Sequence, residues 1–87
     1  HMHDRSSDSF VGAMARALRQ RREALGLNQV DVADLAGCST RFVHTVEAGK
    51  GTLRLDKLAD VLRVLGLSLR VELGRNHEVD PRLLDQA

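Results

Sequence analysis

The sequence predicts an all-α bundle of four to five helices with a C-terminal β-strand that pairs across a homodimer. Three observations predict it. Apolar residues recur at helical spacing in four stretches, each with a capping residue ahead of it or a glycine behind it. Once, after Gly66, that spacing gives way to strict alternation. The chain has 87 residues and one cysteine, Cys38, so it has room for one core and no internal disulfide. A second copy is then the natural source of extra stability.

Residues 1–8 are polar, with His1-Met2 reading as a cloning remnant, and are expected to form a disordered lead-in. The domain proper is expected over 9–66. Asp8 or Ser9 caps the first helix, which runs to about Leu25 and stops at Gly26. Its apolar stripe is Val11, Met14, Ala15, Leu18 and Leu25, with Arg22 set among them. Asn28 caps a second helix from Gln29 to about Ala36 that buries Val32, Ala33 and Leu35. Gly37-Cys38 makes a turn, and Ser39 caps a third helix reaching to about Ala48. Gly49 and Gly51 end it in a tight loop around Lys50.

A fourth helix follows from about Arg54 to Leu65, stopped by Gly66. A single core-facing stripe needs Leu55, Leu58, Ala59, Leu62 and Leu65. Val61 and Val64 are left over, and a second molecule is expected to cover them. Then Leu67, Leu69, Val71 and Leu73 alternate with Ser68, Arg70 and Glu72, the pattern of a half-buried strand over 67–74. No other stretch offers a partner, and an isolated strand is unstable in water. The same strand of another copy is the simplest mate, giving a dimer surface of Val61, Val64, Leu65, Leu67, Leu69, Val71 and Leu73. Residues 75–87 read as a flexible tail whose one apolar spot is Leu83-Leu84.

The net charge of +1 names no partner, but its distribution is uneven. Between Ser39 and Arg54 stand Arg41, Lys50 and Arg54 against one acid, Glu47, while the other acids gather elsewhere. A local basic stripe on a nearly neutral domain can hold phosphates, because screening weights nearby charge. Catalysis is not expected: there is no phosphate-cradling glycine loop and no nucleophile with an attendant base. No cofactor is expected, and no metal, since His44 and Glu47 share a helical spacing without a third ligand. No apolar run approaches membrane-spanning length. With no leader and a free thiol, the expected setting is a reducing cytoplasm.

The strongest signal is the block over 29–47, QVDVADLAGCSTRFVHTVE. Two helices crossing steeply over a short turn need particular residues at particular offsets. Ala33 sits at the closest approach, Gly37 opens the turn with a positive φ, and Cys38 fills the small slot beside it. Val32, Val43 and Val46 form the shared core.

With Arg22 ahead of LGLNQ, then DLAGCST, VEAGK and LDKLADVLRVLGL, the chain resembles the Xre/Cro family of helix-turn-helix regulators, which share the lambda-repressor-like fold. The strand LSLRVEL directly after the fourth helix resembles the HipB-like antitoxins, in which two such strands pair across the dimer axis. The resemblance implies a repressor of an inverted-repeat DNA operator. It further implies the antitoxin of a HipBA-like pair that restrains a HipA-like serine/threonine kinase; the alternative is a stand-alone regulator of a phage or mobile element. By position it assigns DNA contacts to Gln29, Ser39, Thr40, Arg41, His44, Thr45, Lys50 and Arg54. Gln29 would clamp a phosphate through helix-terminal N–H groups and its amide. Thr40, Arg41 and Thr45 would meet base edges, with the planar fork of Arg41 matched to guanine. His44, Lys50 and Arg54 would meet the sugar-phosphate backbone. Many relatives carry amides at the Thr40 and Arg41 positions, so a different base preference is expected. Arg22 and Glu47, which the family pairs, are expected as an internal ion pair.

Overall fold

A computed structural model describes residues 5–50 and 52–73, with side chains from residue 10 onward. The four periodic stretches become four helices: α1 (Arg5–Ala24), α2 (Gln29–Ala36), α3 (Thr40–Glu47) and α4 (Leu55–Leu65). Helix α1 starts four residues before Ser9, so residues 5–8 are helical rather than lead-in. The readings placed on residues 1–4, on Gly51 and on the tail from 74, Leu83-Leu84 included, lie outside the described residues.

The ends of the helices follow from local chemistry. Asn28 and Asp31 form a reciprocal box at the start of α2: the Asp31 N–H donates to Asn28 Oδ1 at 2.8 Å, and the Asn28 N–H to Asp31 Oδ2 at 2.9 Å. At the other end Gly37 takes φ +73°, in the left-handed region that costs a residue with a Cβ. The carbonyl of Ala33 accepts from both the Gly37 and the Cys38 N–H. Ser39 Oγ accepts from the Phe42 N–H at 3.0 Å and opens α3 only two residues later. Helix α4 closes at Gly66, where the Leu67 N–H reaches the Leu62 carbonyl at 2.8 Å. A side chain from α1 adds to this cap, since Arg21 Nε donates to the Leu65 carbonyl at 2.8 Å.

Helix α2 packs on both α3 and α4, and α1 lies across the same two helices. The core is Met14 and Leu18 of α1, Val32 and Ala33 of α2, Val43 and Val46 of α3, and Leu58, Val61, Leu62 and Leu65 of α4. Three expectations need correction. Leu25 and Leu35 are exposed, the latter at 65%, because α2 is held from the side of Val32 and Ala33. Helix α4 is turned relative to its expected phase: Val61 is 0% exposed and Leu65 fully buried, whereas Leu55 is 73% exposed and Ala59 is also exposed. Val61 and Leu65 are therefore internal and not available to a second molecule. Val64 is half-buried and packs against the core. The residues at 58, 61, 62 and 65 are themselves a helical stripe, and contact with two neighbouring helices selects it over the other.

The third correction concerns 67–73. Leu67 packs against the core, but no strand forms among the described residues. Leu69, Val71 and Leu73 are exposed. A ladder needs a second strand, and the described residues supply none.

Candidate nucleic-acid interface

Helix α3 has two unlike sides. Val43 and Val46 are buried, and Phe42 packs partly against the core. On the opposite arc Thr40, Arg41 and His44 are exposed and Thr45 is half-exposed. At 3.6 residues per turn, 40, 41, 44 and 45 share one side of the rod. Ser39 is exposed but its hydroxyl is committed to the cap. Lys50 is exposed in the loop beyond α3.

The rod is held by a polar lock under its C-terminal end. Arg22 Nε donates to Glu47 Oε2 at 2.6 Å and Nη2 to Oε1 at 3.0 Å, a bidentate pair. The remaining Arg22 nitrogen, Nη1, donates to the Leu27 carbonyl at 2.9 Å. These side chains are only 12% and 6% exposed. Burial pushes the Glu47 carboxyl upward, yet the hydrogen bonds from Arg22 and Gln29 and the charges of Arg22 and Arg19 outweigh it and hold it below its ordinary range. The bond to Glu47 raises the Arg22 guanidinium in turn. Among the described residues no buried side-chain nitrogen or oxygen lacks a partner. Helices α1 and α3 and the start of α2 are thus joined through one ion pair.

Gln29 departs from its expected role. Its amide Nε2 donates to Glu47 Oε1 at 3.1 Å, because the buried carboxylate can accept more bonds than Arg22 supplies. Gln29 can still offer an anion its second amide hydrogen and the helix-terminal N–H. Arg54 also has a partner: Nη2 lies 2.7 Å from Asp56 Oδ2 and Nε 3.2 Å from Oδ1, both side chains being exposed. The bonds from Arg54 and the Lys57 N–H hold the Asp56 carboxyl below its usual range. Exposed pairs of this kind are weak, so a phosphate can compete for Arg54.

Arg19 was not singled out by the sequence, yet it lines a depression of about 210 Å³ with Arg22, Gln29, His44, Glu47 and Ala48. Its signal was positional: it precedes Arg22 by three residues and so shares its face of α1. Cys38 is half-buried against the core, and burial pushes its thiol up, which makes it a packing residue rather than a nucleophile. Among the described residues no three His, Cys, Asp or Glu side chains converge on a point. Nor is any described helix long and apolar enough to cross a membrane.

Two short helices joined by a glycine turn, the second locked from beneath and polar on its outer side, define a helix-turn-helix. The family comparison agrees: residues 13–75 match the helix-turn-helix domain. The chain is also 36% identical over 61 residues to y4mF of Sinorhizobium fredii, described as an uncharacterised HTH-type transcriptional regulator. That alignment covers 70% of this chain and 76% of the relative. The protein belongs to the Xre-type helix-turn-helix regulators.

Proposed function

We propose that the protein is a sequence-specific transcriptional repressor that binds an inverted-repeat operator as a homodimer. The observation that carries the reading is the outward arc of α3, with Thr40, Arg41, His44 and Thr45 exposed on a helix locked from behind. Such a rod can enter a major groove with its side chains free. Arg41 reads guanine, Thr40 and Thr45 meet neighbouring base edges, and His44 lies toward the sugar-phosphate. Lys50, Arg54 and the first turn of α2 neutralise or cradle phosphates.

The experiment is a DNA titration across salt concentrations with the intact chain and with Arg41→Ala. Affinity should fall steeply with salt, with a log–log slope of about −0.9 per phosphate contacted. Arg41→Ala should cost about 1–3 kcal/mol on the operator and relax its preference at one position. Unchanged discrimination by the variant would remove the direct-readout role.

Within this reading the protein is the antitoxin of a HipBA-like pair that represses its own operon and restrains a HipA-like serine/threonine kinase. Support comes from LSLRVEL following α4, as in HipB-like antitoxins, and from the exposed apolar residues it carries. Affinity capture from the native host should recover a kinase. Capture of operator DNA with no kinase would leave a stand-alone regulator.

A further inference from the structure

Three residues of α1 run along the C-terminal end of α3. Ala15 is buried beside the loop that follows α3, and a methyl added to Gly49 would lie 3.9 Å from its Cβ. Arg22 grips Glu47 in the last turn of α3. Arg19 falls between them, four residues after Ala15 and three before Arg22, so it shares their side of α1. Unlike those two it is not spent on the interior, since 64% of its side chain is exposed.

What Arg19 borders is the outer arc of α3. It lines the 210 Å³ depression together with Gln29 and His44, and His44 stands one turn along from Thr40 and Arg41. Glu47 lines the same depression, but its charge is already met by the bidentate pair with Arg22. Arg19 is engaged instead by Glu23, at 3.5 Å across an exposed i,i+4 pair. Such a pair is weak in water, and a phosphate with two open oxygens can replace it. A rod laid in the major groove has a sugar-phosphate backbone on either flank. A cation on α1 at the margin of the arc meets that backbone and not a base edge.

We infer that Arg19 is a phosphate contact for duplex DNA, carrying the interface from the helix-turn-helix onto α1, and that Glu23 competes with the phosphate for its guanidinium. This rests on the DNA binding of the proposed function and adds to it a residue on a further helix. The competing role for Arg19 is internal, as a cation that complements the C-terminal end of α3 and the Glu47 carboxylate.

The test is a titration of the full chain with mixed-sequence duplex DNA across salt concentrations, which suffices because phosphate contacts carry no sequence information. Arg19→Ala should weaken binding about fivefold and lower the log–log salt slope by about 0.9, and Arg19→Lys should recover the slope. Arg63→Ala removes a similarly exposed arginine from α4 and should change neither quantity. Glu23→Gln should tighten binding about twofold. Urea unfolding should give Arg19→Ala the stability of the unsubstituted chain, because its ion pair is exposed.

An unchanged slope in Arg19→Ala overturns the contact, and if stability falls with affinity it assigns the residue to the internal role. An equal loss of slope in Arg63→Ala also overturns it, since net charge alone would then be responsible. Equal or weaker binding by Glu23→Gln overturns the competition. The same titrations separate this contact from the proposed function. An unsubstituted chain that binds no duplex even at low salt sinks both. A mixed-sequence duplex bound as tightly as any other, with the slope lowered in Arg19→Ala, keeps the contact and removes the sequence-specific repressor.

Discussion

The α2–α3 side of the molecule and the α1–α4 side are built from the same residue types and finished differently. Around α3 the buried polar atoms are paired, the valines face inward, and threonine, arginine and histidine face out. Across α4 the order is reversed, with Leu55 and Phe10 exposed beside a groove that runs on to Leu69. A polar outer arc on a rigid helix suits water and phosphates, which exchange readily. An open apolar groove suits a protein surface that stays. The contrast sets a rigid polar face against an open apolar one within a single small domain.

The largest effect that can break this comparison is at the polar lock. Glu47→Ala leaves Arg22 buried without its carboxylate and should cost about 3–5 kcal/mol in urea unfolding. A loss well under that would mean α3 is positioned by its valines alone. Next comes a matched pair on α4. Leu58→Ala should cost about 2–5 kcal/mol, while Leu55→Ala, three residues earlier, should stay within about 0.5 kcal/mol. Equal costs at the two positions would overturn the observed phase of the helix.

Smaller still, Gly37→Ala should cost about 1–2 kcal/mol. No atom outside its immediate neighbours lies within 4 Å of the added methyl, so the strain comes from φ +73° and not from a clash. The gentlest perturbation is acid. The folded-state value of Glu47 is depressed, so its contribution to stability is complete above its ordinary value of 4.5. It is lost as pH falls below that point through the folded value. An acid titration of stability should show this loss, and Glu47→Gln should flatten it.

How much was legible in advance differs between the two sides for a physical reason. The α2–α3 unit depends on local signals: Asn28 and Ser39 as caps, Gly37 for a left-handed turn, Val43 and Val46 at helical spacing. Each acts within a few residues, so the sequence displays it directly. That Arg22 needs a partner was readable because a charge set in an apolar stripe cannot be left alone, while the choice of Glu47 came from the family resemblance. By contrast α4 carries two overlapping stripes that share Leu58, Leu62 and Leu65. Nothing local tells whether Ala59 or Val61 turns inward.

The sequence by itself determined where each helix stops, which residues form the turn, and that α3 has one polar and one apolar side. These are consequences of backbone sterics and of periodicity, which need no distant contact. Only the tertiary structure decided the rotation of α4, the inward turn of the Gln29 amide onto Glu47, and the groove left open beside Leu69. Each depends on which neighbour arrives across space, and a helix with apolar residues on most of its circumference does not specify that alone.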